Sequence, residues 1–306
     1  MKIPMELLLD EIAYLSPEIH LRQRDRWIRG IKLMPRDEVG VDADYLYFCI
    51  DPGIHPLQTA APYVAVRSMG AAASDGAQGD AVFLPEGTDI LSTFNDLLGF
   101  QNLLRDWFVQ VELSLTREEG LQSLLDLCAK VIGNPIVILT AGDRLVATTP
   151  GAEAPDMVFG EILEKGYLSQ EKWNVLRDNG FYRSEHYSGE TVCFPPSYLR
   201  EEVDGQQVTK PYMNTLTAIR HRDQTVFLVF MLCTNMAYTR GIAQLYGYAL
   251  DCLKHYLQPL ADEENRRRDL LDYLIADVLA GAISGSEKLW ARSSVAPQAV
   301  SAPYRL

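Results

Sequence analysis

The sequence predicts an α+β protein: a small N-terminal α/β domain, then an antiparallel sheet flanked by helices, with long helices connecting the parts. Three observations carry this. Short apolar runs separated by Gly, Pro and Asp recur between Tyr45 and Leu84, as strands and their turns do. The segment 116–149 combines a helical apolar period with two strand-like runs around Ala141-Gly142-Asp143, one helix feeding one hairpin. Helical stripes cover 90–115 and both sides of Pro259, more apolar helix surface than one small domain requires.

Composition narrows the function classes. At 306 residues the chain has room for two domains of roughly 150 residues each. Hydrophobic residues make up 47% and charged ones 23%, the balance of a folded globular chain. With 28 basic against 41 acidic side chains the net charge is −13, which opposes direct nucleic-acid contact because phosphate is held chiefly by Lys and Arg. No apolar run approaches the roughly 18 residues of a membrane span, and the N-terminus turns acidic before a signal-like core develops. The expectation is therefore a cytoplasmic protein without membrane contact. Cys49, Cys128, Cys193, Cys233 and Cys252 are odd in number and far apart, with no Cys-x-x-Cys or His-x-x-x-His spacing, so they read as reduced core residues. No metal and no cofactor is expected.

In chain order, residues 1–87 form the N-terminal α/β domain. A short amphipathic helix over 3–15 carries Leu7, Leu8, Ile12 and Leu15 on one side and ends at Ser16-Pro17. The stretch His20 to Met34 places Arg22, Arg24 and Arg26 at period two, a solvated strand edge or alternatively a grip for an anion. Strands follow at 45–50, 63–66 and 81–84, and the small-residue segment 70–79 reads as a surface loop rather than a phosphate cradle because it leads into a strand. A connecting helix over 88–115 then presents Ile90, Phe94, Leu97, Leu104, Trp107, Phe108 and Val111 on one face.

The second domain spans 116–258. Thr116 and Glu119 have the spacing of a capping box opening a helix whose apolar face runs from Leu121 to Ile132, with Gly133 as its left-handed stop. After the hairpin come short helices over 154–163 and 170–176, the latter capped by Ser169, and strands at 190–194, 215–220 and 224–232. The last of these is apolar throughout, as a central strand covered on both faces is. Thr239 caps a helix that Pro259 is expected to interrupt. A second helix, 259–283, has no strand after it to cover its apolar face and is expected to dimerise; 284–306 reads as a poorly ordered tail.

The Leu-Pro-Glu-Gly segment at 84–87, the long helix after it, the run "LLDLCAKVIGNPIVILTAGDRLVATTP" at 124–150, Glu164 to Ser169 and the closing "DLLDYLIADVLAG" at 269–281 together resemble the N-terminal sensory half of PucR/CdaR-type bacterial transcriptional regulators. The resemblance spans residues 1–283. It implies a GAF- or PAS-like second domain, a small antiparallel sheet flanked by helices that binds a small effector and signals through helices of a homodimer. The C-terminal helix-turn-helix of that family is expected to be lacking, because 284–306 are too few for one.

For such a sensory pocket the ligand-binding candidates are Tyr182, His186, Cys193, Tyr212, Thr217 and Arg220, on or beside the expected sheet and its variable connection; Arg220 suits a carboxylate or phosphate on an anionic effector. The loop 197–211 reads as a pocket cover or as a hairpin tip. Catalysis is not expected: no Gly-x-Ser-x-Gly, Walker loop or His-Glu-x-x-His occurs, and Cys193 with His186 is the nearest approach to a thiol and base. A different reading is a ligand-free interaction protein whose helices pair with a full-length regulator.

Overall fold

The computed structural model describes residues 2–35, 41–50, 61–67, 80–178, 183–194, 200–203, 206–209 and 212–279. The protein is α+β, with antiparallel sheet and several helices. The chain divides into two compact units, Met1–Asn134 with Asn235–Cys252, and Pro135–Thr234 with Leu253–Leu306. The helix that the sequence groups with the hairpin after it lies in the first unit.

In the first unit, β1 (Ile3–Pro4) runs into α1 (Met5–Asp10) and pairs with β3 (Trp27–Ile28). The strands β2 (Glu18–His20), β4 (Gly30–Leu33), β5 (Tyr45–Cys49), β6 (Tyr63–Val66) and β7 (Ala81–Leu84) form a sheet of order β2-β7-β6-β5-β4, parallel from β4 to β7 with β2 antiparallel at one edge. Residues 21–26 are not strand, so the three arginines share no strand face. Instead the chain folds around buried Asp80, which accepts from the amides of Arg22 and Gln23 and pairs with the Arg26 guanidinium at 3.1 Å. A buried carboxylate needs such donors to offset its lost hydration. The small-residue segment 70–79 lies outside the described residues.

Helix α2 (Ile90–Thr116) starts at Asp89, whose carboxylate accepts from the amides of Leu91 and Ser92. It packs its face of Leu97, Leu104, Trp107, Phe108 and Val111 inward. Its Gln101 accepts from the Ile31 amide at 2.7 Å, close beside Gly30, whose φ of +152° is a conformation that side-chain-bearing residues rarely adopt. Thr116 closes α2 rather than opening the next helix: its hydroxyl donates to the Glu112 carbonyl at 2.8 Å, a bond that continues the helix and leaves the capping box unformed. Gly120, at φ 98°, precedes α3 (Leu121–Ile132), which ends at Gly133 in the left-handed region. The Trp107 indole N–H donates to the Leu127 carbonyl at 2.8 Å and joins α2 to α3.

Asn134 is the point where the chain leaves this unit and is stitched to the point of return. Its side-chain oxygen accepts from the amides of Asn235 (3.1 Å) and Met236 (2.9 Å), and its amide donates to the Met236 carbonyl (2.9 Å). Helix α6 (Arg240–Leu279) then begins. Thr239 caps it through the Ile242 amide and also donates to Asp10 at 2.5 Å. Gly241 lies so close to α1 that a Cβ would stand 2.5 Å from Leu7 Cα. The helix runs unbroken through Pro259, against expectation, because Leu257 and Ala261 on either side of it are both buried.

The second unit is built on β8 (Ile136–Thr140), β9 (Leu145–Thr148), β10 (Thr191–Phe194), β13 (Met213–His221) and β14 (Gln224–Cys233), in the antiparallel order β10-β13-β14-β8-β9. The apolar strand β14 is central, as predicted. Between β9 and β10 come α4 (Met157–Lys165) and α5 (Gln170–Asp178), and β11 (Arg200–Val203) with β12 (Gln206–Thr209) makes a separate hairpin. Arg222 and Asp223, both at positive φ, make the tight β13–β14 turn whose twist suits the strands.

Candidate functional site

Strand alternation divides the five-stranded sheet into two faces. On one, Val137, Leu139, Leu216, Ala218, Leu228, Phe230, Leu232 and Phe194 form a single core with Val158, Phe159 and Ile162 of α4 and Leu176 of α5. Phe159 meets Phe230 edge-to-face at 5.5 Å. These helices close that face because their apolar sides have no other surface within the unit to bury.

Polar groups are set into this otherwise apolar face. Asp156 caps α4, its Oδ1 accepting from the amides of Val158 (2.8 Å) and Phe159 (2.9 Å), while its Oδ2 accepts from the buried Tyr212 hydroxyl. Asn214, 2% exposed, lies in register between Phe194 and Leu232. Its side-chain carbonyl oxygen has no hydrogen-bond donor among the described residues. Such an oxygen buried in an apolar setting is costly unless something donates to it. His186, in the 3-10 turn Ser184–Tyr187, is buried edge-on against Phe194 at 4.9 Å. Burial and the Asp143 carboxylate together push the Tyr187 phenol well above its ordinary range, keeping it a neutral donor.

The six candidates from the sequence separate. His186 and Tyr212 stand on the helix-covered face. Thr217 and Cys193 point from the other one: the Thr217 hydroxyl bonds the Thr191 hydroxyl at 2.8 Å, and Cys193 is exposed. Cys193 and His186 are thus on opposite sides of β10. Arg220 sits exposed at the hairpin end, donating to the Asp223 carbonyl at 2.7 Å, apart from His186 and Tyr212. Tyr182 lies outside the described residues, as does much of 197–211, whose described parts form the β11–β12 hairpin.

Two contributors escaped the sequence reading. Asn214 was legible as a polar residue at the inward period-two position shared by Leu216 and Ala218. Asp156 was not, since its partner Tyr212 is 56 positions away. Among the described residues no cluster of His, Cys, Asp or Glu could hold a metal ion, and no helix is long and apolar enough to cross a membrane. No protein-family model matches the chain, and no curated protein matches its sequence.

Proposed function

We propose that this chain is the small-molecule-sensing region of a bacterial transcriptional regulator of the PucR/CdaR type, cytoplasmic and non-catalytic, signalling through the helices of a homodimer. One observation carries the reading: a small antiparallel sheet has one face roofed by α4 and α5, with Asn214, Tyr212–Asp156 and His186 set into the apolar layer between. Apolar walls with a few convergent polar groups suit selective binding of a small effector. The buried Asn214 oxygen is the acceptor that a donor on the effector would satisfy. Signalling then requires the effector to bind one arrangement of α6 more tightly than another, since equal affinity shifts nothing.

The test is native mass spectrometry of gently purified protein, with Asn214→Leu as the paired variant. A dimer carrying a defined extra mass, lost in Asn214→Leu, supports the sensor and weighs the effector. A bare dimer transfers the weight to the ligand-free interaction reading, which the exposed Leu103, Val109 and Leu113 on α2 also favour. A bare monomer removes signalling through the helices of a homodimer.

A further inference from the structure

A recess lies at the other end of the sheet from Asn214, where the β8–β9 hairpin and the later part of α6 come together. It is a cleft of about 390 Å³, within the range that holds small molecules. Its apolar surface is made by Leu145, Phe227 and Leu260, the last being 39% exposed at the rim. Arg144 lines it from the hairpin, and Glu263 and Glu264 line it from α6. Neither Arg144 nor Glu264 has an ion-pair partner among the described residues: the cation and the carboxylate share the cleft without closing on each other.

We infer that this cleft binds a small zwitterion with an apolar side chain, an α-amino acid or a close analogue. The ligand carboxylate meets the Arg144 guanidinium, whose planar donor pair suits two carboxylate oxygens. The ammonium meets Glu264, and the side chain covers Leu260 and the half-buried Leu145, taking their apolar surface from water. Both charges of the ligand are needed, because each alone would leave one wall of the cleft unmatched. Since Leu260, Glu263 and Glu264 belong to α6, such a ligand touches that helix directly. The inference goes beyond the sensor reading and does not depend on the helix-covered face of the sheet.

The experiment is calorimetric titration of the full chain with L-leucine and L-phenylalanine, each beside its amide, which lacks the carboxylate, and its deaminated acid, which lacks the ammonium. Saturable binding of at least one amino acid is expected, with both of its analogues weaker. Arg144→Gln and Glu264→Gln should each weaken it about fivefold, the scale of a partly exposed ion pair; both substitutions are at the surface, and circular dichroism checks that the fold is kept. Asn214→Leu should leave this binding unchanged, which separates its failure from failure of the sensor reading. No binding of either amino acid, analogues that bind as well as the parent, or two variants that bind as wild type does would each overturn the inference.

Discussion

Asn134 and Asp10 show how single polar side chains set the path of the chain. Asn134 is buried and uses both ends of its amide on backbone groups 101 and 102 positions away. Asn134→Ala would leave two amides and a carbonyl without their partner, so urea unfolding should show a loss of about 1–3 kcal/mol. Asp10 holds the start of α6, accepting from the Thr239 hydroxyl and the Gly241 amide, yet burial raises its pKa, as it also does for neighbouring Glu6 and Glu11. The two hydrogen bonds act in the opposite direction and do not fully offset burial. A carboxyl whose folded pKa is raised binds its proton more readily folded than unfolded. Its contribution is therefore greatest below the unfolded value and declines as pH rises through the folded one. Wild type should lose stability relative to Asp10→Asn over that rise, which paired urea titrations between about pH 4 and pH 7 would detect. A constant difference across that range would remove Asp10 as the cause.

Helix α6 is the element where local preference and long-range packing conflict most openly. Proline inside a helix removes a donor and crowds the preceding turn, at about 3 kcal/mol relative to alanine. Pro259 nevertheless sits inside a helix of 40 residues. Leu253, Leu257 and Ala261 around it are all buried, and His221 at the β13–β14 turn stands 3.0 Å from Asp262, so the helix is held on both sides of the defect. Pro259→Ala should accordingly stabilise the protein by about 1–3 kcal/mol, read as a higher midpoint in thermal unfolding. A lower midpoint would mean that the ring itself packs against something worth more than the missing hydrogen bond. In α2 the conflict runs the other way: Thr116 and Glu119 satisfy the local pattern of a helix start, but the hydroxyl finds the Glu112 carbonyl and Glu119 accepts from Ser123 instead.

Chain connectivity makes the first compact unit discontinuous in sequence. Arg240–Cys252 supplies Ile242, Leu245, Tyr246 and Ala249 to its buried set, and Tyr248 stacks edge-on against Trp107 and Phe108 at 5.9 and 4.7 Å. A fragment ending at Asn134 lacks all of these and exposes the aromatic surface of α2. Such a fragment should not show a cooperative unfolding transition, whereas the full chain should; calorimetry of both decides it. Cooperative melting of the fragment would mean that α6 is dispensable to this unit.

The sequence by itself determined what depends on neighbours a few positions apart. Alternation and apolar runs marked β5, β6, β7, β8 and β14 within a residue or two, Gly133 marked the end of α3, and Ser169 and Thr239 marked helix starts. The reason is that strand faces, turns and caps are satisfied by groups close along the chain. Of the candidate site, His186 and Tyr212 were legible as polar aromatics beside the sheet. Only the tertiary structure decided that Thr217, Cys193 and Arg220 stand apart from them, because the face a strand residue takes depends on register against partners far away in sequence. It likewise decided that Arg26 serves Asp80, that Asp156 meets Tyr212, and that Asn134 holds the returning chain. In each case a buried polar group must find a partner once water is removed, and the partner that folding brings to it lies tens of residues away.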